Sequence, residues 1–210
     1  MVWKPNLIDG ASPPAPPGGC VEENEKDRTA VSPATTAGQE HVTVTAHTVE
    51  RLTARLGLPY AEALTRFEQL VPAAPLEKFL AAGSWDAVKA LLDATPLGFM
   101  DYAKLDSFAL LAPSGITRQS VEYLAGNHAI AETMFRREPG VVLYAPLRLL
   151  FHADDDGKAV LSIDRPRDLF GSFGDPHVTE AGRLLDGKVA AILEGLGARP
   201  PTTLTHMNAA

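Results

Sequence analysis

The sequence predicts an α+β fold, with a small mixed or antiparallel sheet of about five strands and helices packed mainly on one face. Three observations favour this class. Runs of alternating or continuous apolar residues are typical of strands, and apolar residues three and four apart are typical of helices. The sequence "DDDGK", placed between two apolar runs, predicts a hairpin turn, so at least part of the sheet is antiparallel.

Length and composition agree with one folded domain. The chain has 210 residues, of which 45% are hydrophobic and 21% charged. The net charge of -7 argues against a nucleic-acid partner, which would need a basic surface. No run approaches the roughly 18 apolar residues of a membrane span. With a single cysteine, Cys20, and no secretory signal pattern, we expect a cytoplasmic protein.

The chain divides into three parts by composition. Residues 1–39 are rich in Pro, Gly, Ser and Thr and lack a sustained apolar period, so we expect a disordered tail there. Residues 40–198 contain the strand and helix patterns and are predicted to form a single α+β domain. Residues 199–210 are expected to be a flexible tail.

The first half of the domain is predicted to be one strand followed by helices. In "HVTVTAHTVERLT" the valines and threonines alternate from His41 onward, which predicts the first strand. Residues 58–96 have helical periodicity. Phe79 and Trp85 in that stretch are interpreted as core residues; the alternatives are that they line a pocket or form an oligomer surface.

The second half predicts four strands and two helices. The long apolar segment "VVLYAPLRLLFHA" is predicted to be a central strand, bent at Pro146. The last helix begins at Asp175, which suits an N-cap, followed by Pro176. The other predicted elements are strands at Leu105–Ala112 and Arg118–Asn127, a short helix at residues 128–137 and a strand at residues 159–164 after the turn.

The order of five short motifs in the second half resembles the bacterial domain of unknown function 302 (DUF302) family. The motifs are "GN" at 126–127, Pro139, "APLR" at 145–148, "DDDGK" and "IDRP" at 163–166. The resemblance implies a small α+β sandwich fold. It implies no catalytic residues, because the family has no settled biochemical role.

The chain departs from the family pattern in three places. His128 follows Asn127 where the family usually has Pro, and Leu147 stands where the family often has Cys. The helical stretch of residues 58–96 is longer than the single helix that the family usually has between its first two strands.

Asn127 and His128 form the first candidate site. Asn127 suits an N-cap, which places His128 in the first helical turn. The helix dipole lowers the pKa of an imidazole there, so a neutral His128 could serve as a catalytic base or donate a hydrogen bond to a carboxylate or carbonyl. The alternative is that Asn127 only caps the helix and His128 faces solvent.

Further candidate ligand-binding residues come from the hairpin. Arg148 and Tyr144 are predicted to share one face of the long strand, and Asp164 falls opposite Arg148 on the return strand. The Arg148–Asp164 pair is interpreted as a cross-strand ion pair, or as a device that orients Arg148 for a substrate carboxylate.

Three functional hypotheses remain open from the sequence. The first is a domain that binds a small anionic or carbonyl-containing molecule through Asn127, His128, Tyr144, Arg148 and Asp164. The second is an enzyme that uses His128 for acid–base chemistry, and the third is an interaction protein, possibly a homo-oligomer. The histidine spacing predicts no metal site, and no nucleotide-binding glycine motif identifies a cofactor.

Overall fold

The computed structural model describes residues 42–205, so the predicted tail at 1–39, with Cys20, lies outside the described residues. The strands are β1 (Arg51–Pro59), β2 (Met100–Leu105), β3 (Ser120–Gly126), β4 (Leu147–Ala153) and β5 (Lys158–Asp164). The helices are α1 (Tyr60–Leu70), α2 (Leu76–Ala81), α3 (Trp85–Asp93), α4 (Ser107–Leu111), α5 (His128–Phe135), α6 (Pro166–Gly171), α7 (Pro176–Gly195) and α8 (Thr202–Thr205). Short 3-10 helices span Ala112–Ser114 and Pro139–Leu143.

The five strands form one antiparallel sheet in the order β1-β5-β4-β3-β2. This confirms the predicted α+β class. The predicted hairpin joins β4 to β5, and the Asp154 carboxylate accepts hydrogen bonds from the backbone N–H groups of Asp156 and Lys158 within its turn. Gly157 has a φ of 71° there, a conformation that glycine adopts without a steric penalty.

The helices cover one face of the sheet, and the core lies between them. Along β4, Leu147, Leu149 and Phe151 are buried, whereas the alternate residues Arg148 and Leu150 are exposed. This two-residue alternation is typical of a sheet with one solvated face. The central covering element is α7, whose first N–H groups are capped by the Asp175 carboxylate as predicted.

The prediction for the first strand was wrong in position. Residues 42–50 form no regular element, and the strand is β1, which pairs with β5. Leu52, Ala54 and Leu56 of β1 alternate with exposed residues. The valine–threonine run has the stronger strand propensity, but strand formation depends on a pairing partner, and β5 pairs with residues 51–59.

The predicted strand at Leu105–Ala112 was also wrong, because β2 ends at Leu105 and α4 begins two residues later. The Asp106 carboxylate accepts a hydrogen bond from the backbone N–H of Ala109 and caps the helix. The long central strand is shorter than predicted. Its first part is the 3-10 helix Pro139–Leu143, and β4 starts after Pro146.

The helical stretch predicted at 58–96 consists of α1, α2 and α3. α3 contributes Val88 and Leu92 to the buried set, but its first residue, Trp85, is 38% exposed and is not a core residue. At the other end, where a flexible tail was expected from residue 199, α8 packs against α7 and buries Leu204.

Candidate functional site

Asn127 joins three parts of the fold at the start of α5. Its side-chain oxygen accepts a hydrogen bond of 2.8 Å from the backbone N–H of Ile130, which confirms the predicted N-cap. Its amide nitrogen donates to the carbonyl of Gly98 at 2.6 Å, in the loop between α3 and β2. The cap therefore also fixes this loop beside the first turn of α5.

His128 lies between two aromatic side chains. The hydroxyl of Tyr102 is 2.7 Å from the imidazole Nδ1, and the ring of Phe79 stacks on the imidazole at 4.8 Å between centroids. Burial lowers the pKa of His128 from its ordinary value and raises the pKa of Tyr102 to about 12. Near pH 7 the pair is therefore a neutral imidazole and a protonated phenol.

The tautomer of His128 decides whether its Nε2 is a hydrogen-bond donor or an acceptor. When the Tyr102 hydroxyl donates to Nδ1, the imidazole proton is on Nε2. Within residues 42–205, no protein group forms a hydrogen bond with Nε2. The Nε2–H of His128 is then available to donate a hydrogen bond to a bound molecule.

A cavity of about 370 Å³ lies beside His128. Its lining is mostly apolar. The buried part of the lining includes Met134, Val141, Leu147, Phe170 and Leu185, and the more exposed part includes Trp85, Phe135 and Val142.

Five side chains in the described lining carry a polar group: Trp85, Tyr102, Asn127, His128 and Glu132. Glu132 lies four residues after His128, so both occupy the same face of α5. It is the only residue with a formal charge in this lining, because His128 is neutral. Glu132 forms an ion pair with Arg136, whose side chain is 74% exposed.

The structure brings together only two of the five residues predicted to bind a ligand, Asn127 and His128. The ring of Tyr144 packs edge-on against Phe170 and Phe173 and does not line the cavity.

Arg148 and Asp164 lie on the open face of the sheet. Arg148 follows Leu147, which lines the cavity, and neighbouring strand residues point to opposite faces. The Arg148 side chain is 78% exposed, with its Nε 3.9 Å from Glu122, and Asp164 binds Arg51 at 2.7 Å. The predicted Arg148–Asp164 ion pair is absent from the described residues.

The sequence reasoning missed Tyr102 and Glu132 as site residues. Glu132 could have been found, because a residue four positions after His128 shares its helix face. Tyr102 lies in β2, a strand that was not predicted, so its place next to His128 had no signal in the sequence. Trp85 lines the cavity, one of the alternatives that the sequence had left open, whereas Phe79 stacks on His128 and does not line the cavity.

A second polar cluster lies where β5 meets α6, in the "IDRP" motif. The guanidinium of Arg165 binds Asp186 of α7 at 3.2 Å, Glu50 at 2.5 Å and the backbone carbonyl of Thr203. Arg165 and Asp186 are each 3% exposed. Burial is the main influence on the pKa of Asp186 and raises it, while hydrogen bonds from Arg165 and from the backbone N–H of Arg167 oppose the rise. The cluster is closed to ligands.

The sequence profile of "Domain of unknown function DUF302" matches residues 83–196, more than half of the chain. The chain belongs to the DUF302 family. Both polar clusters, the cavity and the β4–β5 hairpin lie largely within the DUF302 match, whereas β1 and α1 precede it. The resemblance carried by the five motifs is thereby confirmed.

A solved structure has a similar fold. It is an uncharacterized conserved protein DUF302 from Bacillus stearothermophilus, 17% identical in sequence, with a TM-score of 0.51. The similarity covers 70% of this chain and 97% of that one. It supports the DUF302 fold and no statement about activity. No curated protein matches the chain.

The described part of the chain limits two other classes of site. Between residues 42 and 205, no three His, Cys, Asp or Glu side chains are grouped so that they could hold a metal ion. The helices in this range are too short or too polar to cross a bilayer.

Proposed function

We propose that this DUF302 domain binds a small, mainly apolar molecule that carries a carbonyl group, in the cavity beside His128. The observation that carries the proposal is the position of His128 at an apolar cavity with its Nε2 free of protein partners. Ligand sites of proteins commonly combine a mostly apolar lining with a few polar groups that orient the ligand. The single cysteine of the chain supports the cytoplasm as the proposed location.

The cavity volume favours a small ligand. About 370 Å³ lies near the lower end of the range for ligand pockets, roughly 300–1,000 Å³. The buried floor of Met134, Leu147 and Phe170 would contact the apolar part of the molecule. The Nε2–H of His128 would donate to its carbonyl oxygen.

Of the two ligand chemistries predicted from the sequence, the lining favours the carbonyl over the anion. The described lining contains no Lys or Arg, and Arg148, the cation expected there, lies on the opposite face of the sheet. A neutral imidazole supplies one hydrogen bond but no positive charge. An anion would therefore lose its hydration without gaining a counter-charge.

Acid–base catalysis at His128 is the second candidate. One observation favours it: Tyr102 places a second titratable group 2.7 Å from the imidazole. This step uses the other tautomer, in which Nδ1–H donates to the Tyr102 oxygen and Nε2 is unprotonated. Nε2 can then accept a proton from a carbon next to a carbonyl, and the Nδ1–H hydrogen bond to Tyr102 would stabilise the resulting imidazolium. Exchange of the acidic hydrogens of a bound ketone for deuterium in D₂O, followed by NMR, would reveal this reaction without knowledge of the natural substrate.

Binding can be measured through Trp85, which lines the cavity. The only other tryptophan is Trp3, so the Trp3→Phe variant makes Trp85 the single tryptophan of the chain. Acetophenone and ethylbenzene are suitable probes, because they have similar shapes and only the ketone has an acceptor. We expect the ketone to bind about tenfold more tightly, the equivalent of one net hydrogen bond.

His128→Leu in the same background should abolish the preference for the ketone, because the donor is lost while the apolar lining is kept. The matched control is His152→Leu, since His152 lies in β4 and does not line the cavity. Equal affinities for the two probes in the parent protein would contradict the proposed function, as would a ketone preference that persists in His128→Leu.

A further inference from the structure

We propose that Glu132 determines which carbonyl compounds the cavity accepts. It selects molecules that carry a hydroxyl or amine about one helical turn from the carbonyl, and it excludes those that carry a carboxylate. This inference rests on the proposed function, because it assigns a second group of the ligand in the same cavity.

The spacing comes from the helix. Residues four apart on an α-helix lie on the same face, with about 5–6 Å between their Cβ atoms. His128 and Glu132 both line the cavity from α5, and His128 would hold the carbonyl oxygen. A donor held by the Glu132 carboxylate would then lie a similar distance from that oxygen.

Glu132 has an acceptor available for such a donor. Its side chain is 23% exposed, and its hydrogen bond to Arg136 uses only Oε1. Among the described residues no hydrogen bond reaches Oε2. A carboxylate has two oxygens and about four acceptor positions, so a ligand hydroxyl or amine can bind while Arg136 stays in place.

The charge balance around the cavity disfavours a second carboxylate. Arg136 is mostly exposed, so solvent screens it, and it does not line the cavity. Two further cations lie near this end of α5 and neither lines the cavity: Lys89 of α3 pairs with Asp86 at 2.6 Å, and Lys188 donates to the carbonyl of Leu97 at 2.6 Å. A ligand carboxylate would therefore meet the like charge of Glu132 in an apolar site with no cation in its described lining.

Three ketones test this selection at pH 7 in the Trp3→Phe background: acetophenone, 3-hydroxyacetophenone and 3-acetylbenzoate. They share the carbonyl and the ring and differ in one substituent. We expect the hydroxyl compound to bind most tightly and the carboxylate at least about tenfold more weakly than acetophenone. Glu132→Gln should reduce this discrimination against 3-acetylbenzoate at least about threefold, because it removes the like charge while the cost of dehydrating the carboxylate remains.

The chain offers a matched control in Glu62→Gln. Glu62 pairs with Arg66 four residues later in α1, as Glu132 pairs with Arg136, but it does not line the cavity. This variant should keep the order of affinities of the parent protein.

The outcomes separate the two proposals. Binding of acetophenone through His128 without discrimination against 3-acetylbenzoate would overturn the role of Glu132 and leave the proposed function intact. So would discrimination that is unchanged in Glu132→Gln or that falls equally in Glu62→Gln. If none of the three ketones changes the fluorescence of Trp85 or the thermal stability of the protein, both proposals are wrong.

Discussion

Two strand-to-helix junctions of this sheet use titratable side chains in opposite ways. Where β5 meets α6, Arg165 is buried and binds Glu50, Asp186 and the carbonyl of Thr203. Where β3 meets α5, His128 has one polar protein partner in the described residues, Tyr102, and lines a cavity. The DUF302 match includes Arg165 and Asp186 of the first junction and Tyr102 and His128 of the second.

The two junctions differ in whether the protein itself satisfies all the polar groups of the titratable side chain. A buried charge with all its partners in place is costly to disrupt, since removing one partner leaves the other buried and unpaired, and a ligand has nothing to add to it. A partly buried imidazole with one free nitrogen beside an apolar cavity costs some stability and keeps a donor available. We therefore expect substitutions at the first junction to affect folding most, and substitutions at the second to affect binding most.

Arg165→Met should have the largest effect on stability. It leaves the Asp186 carboxylate buried without its cation, a change that typically costs about 3–5 kcal/mol. His128→Leu should cost less than about 1 kcal/mol, because the lost hydrogen bond is partly offset by apolar burial. Urea denaturation of both variants measures the contrast, and equal losses would contradict the distinction between the junctions.

Gly182→Ala tests the packing next to the Arg165 cluster. A Cβ atom at Gly182 would lie 2.8 Å from the Cα of Arg167, and backbone cannot easily give way. Such overpacking typically costs about 1–3 kcal/mol. In the same helix, a Cβ at Gly187 meets no atom within 4 Å, so Gly187→Ala should stabilise the protein by about 0.5–1 kcal/mol. The same sign for both variants in thermal denaturation would refute this packing.

Asn127→Ala should cost about 1–2 kcal/mol by removing the cap of α5, and should also weaken ketone binding by displacing His128. Asn127→Asp keeps the oxygen that caps the helix but loses the hydrogen bond to Gly98. It should therefore recover most of the stability lost in the alanine variant. Urea titration and Trp85 fluorescence give the two readouts, and an aspartate variant as unstable as the alanine variant would show that the loop contact dominates.

The smallest effect concerns pH. Burial lowers the pKa of His128, so below its ordinary value of 6.5 the unfolded chain binds a proton that the folded protein does not. Folding stability should consequently decrease as the pH falls through 6.5 toward the lowered pKa, and this contribution should be fully present above 6.5. His128→Gln should reduce that dependence in urea titrations from pH 7 to 5, whereas replacement of the exposed His177 by Gln should leave it unchanged.

Local signals in the sequence predicted the elements that depend on neighbouring residues. Asn127 and Asp175 cap their helices within three residues, and the "DDDGK" turn is stabilised by its own Asp154. These features need no distant partner. The identity of β1 depends on its pairing with β5, more than 100 residues away, and a stronger strand pattern nearby led to the wrong segment.

Like the fold, the site was predictable where it depends on residues close together in the sequence. The position of His128 in the first turn of α5 follows from the cap, and Glu132 follows from the helical repeat. Tyr102 depends on the pairing of β2 with β3, which no local pattern reveals. Arg148 was assigned to the wrong face because the inward direction of Leu147, which fixes the alternation of the strand, was not known.

Arg165 binds both Glu50 and Thr203, which brings a segment before β1 and a segment after α7 to one place. In a variant that lacks the residues outside 50–205, a short linker could join residue 205 to residue 50, and new termini could be opened in the exposed turn at residues 155–157. Such a circularly permuted protein should retain the cavity, since neither the junction at His128 nor the helices around it would be cut. It would also place a fused reporter on the far side of the hairpin from the Arg165 cluster.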